Sequence, residues 1–454
     1  MDAFLARHPR LATLRERLRS ILPRGALLLA ALTLASYVMG LVRDRVFART
    51  FGAGSELDVY NAALVLPELV LAILVVAGLS SAFVPVYTKV QHDEPGATEG
   101  FARSVLTAAV LLMAVTVGVL FVIAPLTVRF IAPGFDEAQQ AQYTELFRLM
   151  CVTAIIFAAS FALGEMLVVR QRFLTYGLAP VLYNAGIVFG AIVLSPGMGI
   201  MGVAIGTVLG ALLHLGVRSL EIARTDFRYR PALVLRSAGF REYVRLSIPK
   251  ALAAPVEPLT FLFFTSIAST LVVGGISAVS FARNFQSVPV SLVGIAFAVA
   301  AFPVMARAAS DGDGARFRRL VLVNLATIAL LTSLAAIGLI VVGGLAIELF
   351  LGGEAFDAED VALTTQLLAV FALAVPFEAV SHLLSRAVYS TRNTILPVAA
   401  SLLGLGVTVA VVLLLAPGIG IVALPTGFVA GQATEVVLLL GAIVVRSRSV
   451  GLAA

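Results

Sequence analysis

The chain has 454 residues, 60% of them hydrophobic and 13% charged, with a formal net charge of +6 and a single cysteine. A water-soluble domain carries about a quarter charged residues, so composition excludes one, and the basic excess is assigned to membrane topology rather than to nucleic acid. Cys151 alone allows neither an intrachain disulfide nor a cysteine-based metal site, and in its apolar run it reads as a small buried hydrophobe.

Residues 1–24 contain no apolar core long enough for a cleavable signal peptide. They set Leu11, Leu14, Leu18 and Ile21 at helical spacing among Arg7, Arg10, Arg15, Arg17 and Arg19, which predicts an amphipathic helix lying on an anionic membrane face. Apolar runs of about 20 residues or more then recur to the end of the chain. They predict spans over roughly 26–48, 60–88, 104–131, 143–169, 176–195, 199–222, 243–272, 276–306, 317–350, 362–388, 394–416 and 419–445. None shows the short alternation of a membrane β-barrel. With the N-terminus in the cytoplasm, 26 of the 32 basic residues fall on the cytoplasmic side. The opposite connections hold none, and 351–361 is acidic, with Glu354, Asp357, Glu359 and Asp360. This is the positive-inside pattern, with both termini inside.

Two stretches repeat at nearly one offset. "SPGMGIMGVAIGTVLG" at 195–210 matches "APGIGIVALPTGFVAG" at 416–431, and "SSAFVPVYTK" at 80–89 matches "AVAAFPVMAR" at 298–307. A looser pair joins "RQRFLTYGLAP" at 170–180 to "YSTRNTILP" at 389–397. The predicted fold is therefore an all-α polytopic membrane protein, with twelve transmembrane helices in two pseudo-symmetric six-helix lobes around a central cavity. The expected divisions are a cytoplasmic amphipathic segment 1–24, an N-lobe 25–222, a cytoplasmic linker 223–242, a C-lobe 243–446 and a cytoplasmic tail 447–454. Prolines inside the spans favour bending helices over a rigid pore.

Charges that topology does not use are informative because they are expensive at membrane depth. Arg129 and Arg148 lie near span ends, where snorkelling accounts for them. Arg43, Asp44, Arg45 and Arg49 crowd the outer part of helix 1, and Asp58 stands at the start of helix 2, where capping is the plain reading. Adjacent helical positions face about 100° apart, so Arg43 is expected to face the cavity while Asp44 orients another group. Arg283 lies well inside helix 8 beside Asn284 and Gln286 and needs water, an acid or an anionic ligand. Guanidinium groups lining a cavity suit phosphate-like anions. Among the acids Glu68, Glu165, Glu257, Glu378 and Glu435, Glu257 in "PVEP" is the leading counter-charge or ion-coupling candidate. No P-loop, metalloprotease or dinucleotide motif is present, so an enzyme is not expected. "SDGDGAR" at 310–316 lacks calcium-ligand spacing and reads as a turn.

"GLVRDRVFARTFGAGSELDVYNAAL", "AGLSSAFVPVYTK" and "FARNFQSVPVSLVGIAFAVAAFPVMAR" together resemble the MurJ/MviN lipid II flippases of the multidrug/oligosaccharidyl-lipid/polysaccharide transporter superfamily. The resemblance implies export of an undecaprenyl-diphosphate-linked peptidoglycan precursor from the inner to the outer leaflet of the cytoplasmic membrane. It implies that Arg43, Asp44, Asp58 and Arg283 surround the central cavity, with Arg43 and Arg283 on the diphosphate. Arg45, Arg49, Asn284, Gln286 and Glu257 are secondary candidates. Tyr37 stands where the family often has arginine, helix 2 lacks the basic pair of many members, and Gln286 replaces a common glutamate. Some members carry two further C-terminal helices. Anionic membrane lipids and cell-wall synthesis proteins are expected partners, and nucleic acid is not. No cofactor or metal site is expected, and the coupling cation, if one is used, is unspecified: helix 11 has no acid to complete a sodium site with helix 7. The alternatives are an ion-coupled exporter of small cations, a flippase for another polyprenyl-linked glycolipid, and a non-transporting scaffold for cell-wall enzymes.

Overall fold

The computed structural model describes residues 24–253 and 256–449. The predicted amphipathic segment and the end of the tail therefore lie outside the described residues. The chain forms α1 (Arg24–Phe51), α2 (Ser55–Asp93), α3 (Pro95–Ile131), α4 (Glu137–Val169), α5 (Phe173–Met198), α6 (Ile200–Ala223), α7a (Ala238–Ala253), α7b (Val256–Leu271), α8 (Gly275–Ser310), α9 (Gly314–Leu351), α10a (Ala358–Ala372), α10b (Val375–Ser390), α11 (Ile395–Ile419) and α12 (Ala423–Ser449). Among the described residues there is no strand.

Eight of these stretches are long and apolar enough to cross a membrane, and the bent pairs α7a/α7b and α10a/α10b raise the number to ten. The predicted twelve are reached with the charged helix α1 and by dividing 395–446, counted once, at the Gly420 turn. Large apolar side chains stay exposed along α3, α9 and α11, among them Val122, Val341 and Leu414. In water such a surface would aggregate; in lipid it is the solvent-facing side. "SDGDGAR" is a turn, with the Asp313 carboxylate accepting from the Arg316 amide to start α9.

The duplication extends to the backbone. Gly199 (φ 57°, ψ −143°) and Gly420 (φ 59°, ψ −139°) share one unusual conformation, 221 residues apart. Gln171 and Arg392, also 221 apart, are the two described non-glycine residues with positive φ. The looser sequence pair is thus a true match, aligned at 221 rather than on its prolines. Short π-helical stretches interrupt α2 at Ala72–Val76 and α8 at Val290–Ile295, again in corresponding places.

Packing divides the chain into two compact units that are not simple halves. The first holds 1–46, 67–123 and 146–254; the second holds 47–66, 124–145 and 255–454. Helices α1 to α4 each run from one unit into the other. In the first unit α5 and α6 cross with backbones nearly touching. A Cβ on Gly206 would come 2.5 Å from Gly190 Cα and 2.7 Å from Gly186 O. Small residues permit such approach, which is how helices associate in lipid. Gly206→Val is expected to destabilise by about 1–3 kcal/mol or more through overpacking, lowering the melting temperature of the detergent-purified protein. Arg218, near the end of α6, is enclosed. Its guanidinium donates to Ser160 O at 2.8 Å and Tyr176 O at 3.3 Å and stacks 5.0 Å from the Tyr176 ring, tying α4 and α5 to α6. Carbonyls and an aromatic face replace the water it would otherwise need. Cys151 is buried, as expected.

In the second unit the core lies between α8, α9, α10b and α12, with Met305, Phe317, Ile328, Leu383, Leu384 and Leu439 at its centre.

Candidate functional site

"FGAG" ends α1 as the sequence implied, in the second unit, with Gly52 at φ +64°. More than two turns earlier, in the first unit, Arg43 donates through Nε and Nη2 to Asp44 Oδ1 at 3.1 and 2.8 Å. Its Nη1 reaches Asn184 Oδ1 on α5 at 3.3 Å, and Asn184 is fixed by donating to Pro180 O at 3.0 Å. Arg43 and Asp44, expected to serve different groups, are also bonded to each other. The Cβ directions diverge, but the long arginine stem folds back far enough for its head to meet the neighbouring carboxylate. Asp44 is buried, while the Arg43 side chain keeps 27% of its surface exposed. Arg45 is half-buried, and Arg49 is exposed in the second unit.

Asp58 lies in the second unit and is 2% exposed. Its Oδ2 accepts from the Gly274 amide at 2.8 Å; its Oδ1 accepts from the Ser277 amide at 2.8 Å and the Ser277 hydroxyl at 2.7 Å. It therefore caps a helix, as the plain reading held, but that helix is α8 rather than α2. A carboxylate at a helix N-terminus satisfies orphan amides and complements the helix dipole. Gly274 adopts φ +79°, and a Cβ there would lie 1.7 Å from Ala53 O, so glycine is required. Further bonds join the same first-half segments to second-half residues within this unit. The Ala53 amide donates to Asp360 Oδ2 at 2.9 Å, Asn61 Nδ2 to Ser277 Oγ at 3.3 Å, and the Gly134 amide to Ser269 Oγ at 3.2 Å. Sequence reasoning did not find Gly274, Ser277 or Asp360 as functional residues. A "GG" ahead of a span and an isolated acidic loop were the only signals.

Arg283, also in the second unit, is 6% exposed. It forms a bidentate pair with Glu378 on α10b, at 2.6 and 2.7 Å. Gln286 bonds Arg283 and donates to Glu378 Oε2 at 3.0 Å. The Phe428 ring lies 4.6 Å from the guanidinium. Glu257, the acid favoured from sequence, is 3.9 Å away with a largely exposed side chain, so the primary partner is Glu378. Asn284 is half-buried beside them. Arg283, Glu378 and Glu257 line a cavity of about 440 Å³ between α7b, α8, α10b, α11 and α12.

The family description "Lipid II flippase MurJ" matches residues 47–450. The chain belongs to the MurJ family. A "Probable lipid II flippase MurJ" of Thermotoga maritima is 29% identical over 374 residues, covering 82% of this chain and 75% of the relative. The "Lipid II flippase MurJ" of Burkholderia cenocepacia is 25% identical over 385 residues, covering 83% and 74%. Among solved structures, "Lipid II flippase MurJ, inward closed conformation" aligns with a TM-score of 0.81 at 21% identity, covering 94% of this chain and 90% of that one. An inward-facing multidrug resistance MATE transporter of the MOP superfamily aligns at 0.74 and 14% identity, covering 94% and 98%. The MurJ family and the MATE transporters thus share this multi-pass helical fold, and the sequence match selects MurJ.

Proposed function

We propose that this MurJ-family protein flips an undecaprenyl-diphosphate-linked peptidoglycan precursor across the cytoplasmic membrane by alternating access, with both termini in the cytoplasm. The observation that carries the reading is the Arg283–Glu378 pair on a cavity wall. A guanidinium at membrane depth must be compensated, and a carboxylate compensates it while no anion is bound. Diphosphate oxygens offer the same bidentate geometry with more charge, so they can take the place of Glu378. Arg43 in the first unit is likewise paired with a carboxylate, Asp44, through one of its oxygens. Arg283 is the diphosphate contact of the second unit, and Arg43 is the candidate anion contact of the first. Asp44 and Glu378 hold them between transport cycles. Asp58 is a latch whose three bonds on α8 keep one state closed and break when the cavity opens to the other side.

Complementation of a strain depleted of its own lipid II flippase tests this. Arg43→Ala is expected to fail at wild-type expression. Arg43→Lys is expected to rescue weakly at best, because an ammonium keeps the charge but loses the planar fork. Normal growth with both variants overturns the assignment of Arg43.

A further inference from the structure

The first unit carries a groove that the diphosphate reading does not use. The chain between α6 and α7a, residues 224–237, is a strap laid along α3. Arg103 Nε donates to the Arg228 carbonyl at 2.9 Å, the Ala232 amide to Thr107 Oγ1 at 3.3 Å and the Val234 amide to Ser104 Oγ at 2.9 Å. The Tyr229 hydroxyl meets Thr107 Oγ1 at 3.2 Å. So held, Phe227, Arg228 and Tyr229 roof a cavity of about 490 Å³ between α3, α4 and α6. Its floor is apolar, with Leu106, Val110, Leu163, Leu215 and Ile222. Two of the floor helices, α3 and α6, expose Leu111, Val115, Leu212 and Leu220, so the groove lies among side chains that face lipid. One guanidinium lines it. Arg228 Nη1 closes the end of α6 by donating to the carbonyls of Thr225 at 2.7 Å, Phe227 at 3.3 Å and Ala223 at 3.4 Å. Its Nε and Nη2 have no hydrogen-bond partner among the described residues. These two nitrogens form the side-on edge of the fork, which takes two oxygens of one carboxylate or phosphate.

We infer that this groove binds an anionic glycerophospholipid of the surrounding membrane, with one acyl chain on the apolar floor and the phosphodiester on the side-on edge of Arg228. Charge selects an anion here. Residues 223–241 hold Arg224, Arg228, Arg230, Arg236 and Arg241 against Asp226 alone, and basic residues beside a membrane surface attract anionic lipid. In the topology proposed above this is the cytoplasmic side. The neighbours decide for a phosphodiester over a diphosphate. Arg103 is taken by Glu99, and Arg224 is approached by Glu221. The guanidinium edge left at the groove is that of Arg228, and it matches one phosphate rather than two. A bound lipid ties the strap to α4 and α6 as well as to α3, and the strap leads directly into α7a.

The test uses the purified full-length chain in vesicles that contain no lipid substrate, so its outcome does not depend on what the protein transports. The sequence contains no tryptophan, so Tyr229→Trp places a single fluorescent reporter in the roof of the groove, and the strap keeps its other three bonds. The vesicles are phosphatidylcholine with a small fraction of either phosphatidylglycerol or phosphatidylcholine brominated on its acyl chains, which quenches tryptophan on contact. Brominated phosphatidylglycerol is expected to quench at about tenfold lower fraction than brominated phosphatidylcholine, the ratio that one charge-assisted contact supports. Adding Arg228→Gln is expected to remove that preference. Adding Ala159→Phe instead, which fills the floor, is expected to bring phosphatidylglycerol down to the level of phosphatidylcholine. Equal quenching by the two lipids in Tyr229→Trp alone overturns the site. A preference that survives Arg228→Gln overturns the role of Arg228. Because Arg228 also closes α6, Ala159→Phe decides the matter should Arg228→Gln fail to fold, and a preference that survives Ala159→Phe overturns the groove. Quenching relieved by unlabelled undecaprenyl phosphate but not by unlabelled phosphatidylglycerol overturns the choice of occupant.

Discussion

Arg283→Ala is expected to destabilise the protein by about 3–5 kcal/mol, the usual result of stranding a buried partner charge. The stranded group is Glu378, which accepts both bonds of the bidentate pair and a third from Gln286. Loss of activity in that variant alone therefore cannot separate folding from transport. The informative variant removes both charges. Arg283→Met with Glu378→Leu replaces the pair by apolar side chains of similar reach, a change that is commonly neutral or stabilising. The methionine can still pack on the Phe428 ring that the guanidinium now covers. The double variant is expected to melt within about 1–2 kcal/mol of wild type and still to fail in complementation. Melting in detergent and growth of the depleted strain read the two effects separately. A double variant that supports growth would show that transport needs no arginine at this position.

Asp58→Ala is the second large effect. It removes three hydrogen bonds and strands the Gly274 and Ser277 amides in a buried turn. Each unsatisfied amide costs about 1–3 kcal/mol. A loss of about 3 kcal/mol from the closed arrangement corresponds to roughly a hundredfold shift in its population. The readout is maleimide labelling of Ile276→Cys, a position 5% exposed in this structure, against a background in which the native Cys151 is fully buried. The labelling rate is expected to rise between tenfold and a hundredfold when Asp58→Ala is added. Asp58→Asn should fall between, since an amide still accepts at Oδ1 but cannot accept at its nitrogen. An unchanged rate in both variants would remove Asp58 from any latching role.

The fold was legible because a membrane imposes a coarse rule: each crossing needs about 20 apolar residues, and basic residues mark the cytoplasmic ends. Even the repeat could be read, since turn sequences such as "SPGMGIMG" and "APGIGIVA" hold their glycines where φ is positive, at Gly199 and Gly420. Partners were harder. Hydropathy locates Arg283 inside a helix but says nothing about which of five acids meets it most closely, and the nearest in sequence, Glu257 at 3.9 Å, stands farther off than Glu378 at 2.6 Å. Asp58 was readable as a cap but not as the cap of a helix more than 200 residues away. That pairing depends on how two repeats meet, and no local pattern encodes it. Arg218 shows the same limit. Its place near a helix end fits the topology rule, while the carbonyls and ring that shelter it come from two other helices.

The boundaries between the two packing units have a mechanical meaning. Two of the crossings coincide with proline: one unit gives way to the other at Pro67 in α2, and between Ile123 and Ala124, beside Pro125, in α3. A proline deletes one rung of the backbone ladder and pushes the preceding turn aside, so bending stiffness is lowest at those places. In α2 the π-helical stretch Ala72–Val76 adds a second weak point close to Pro67.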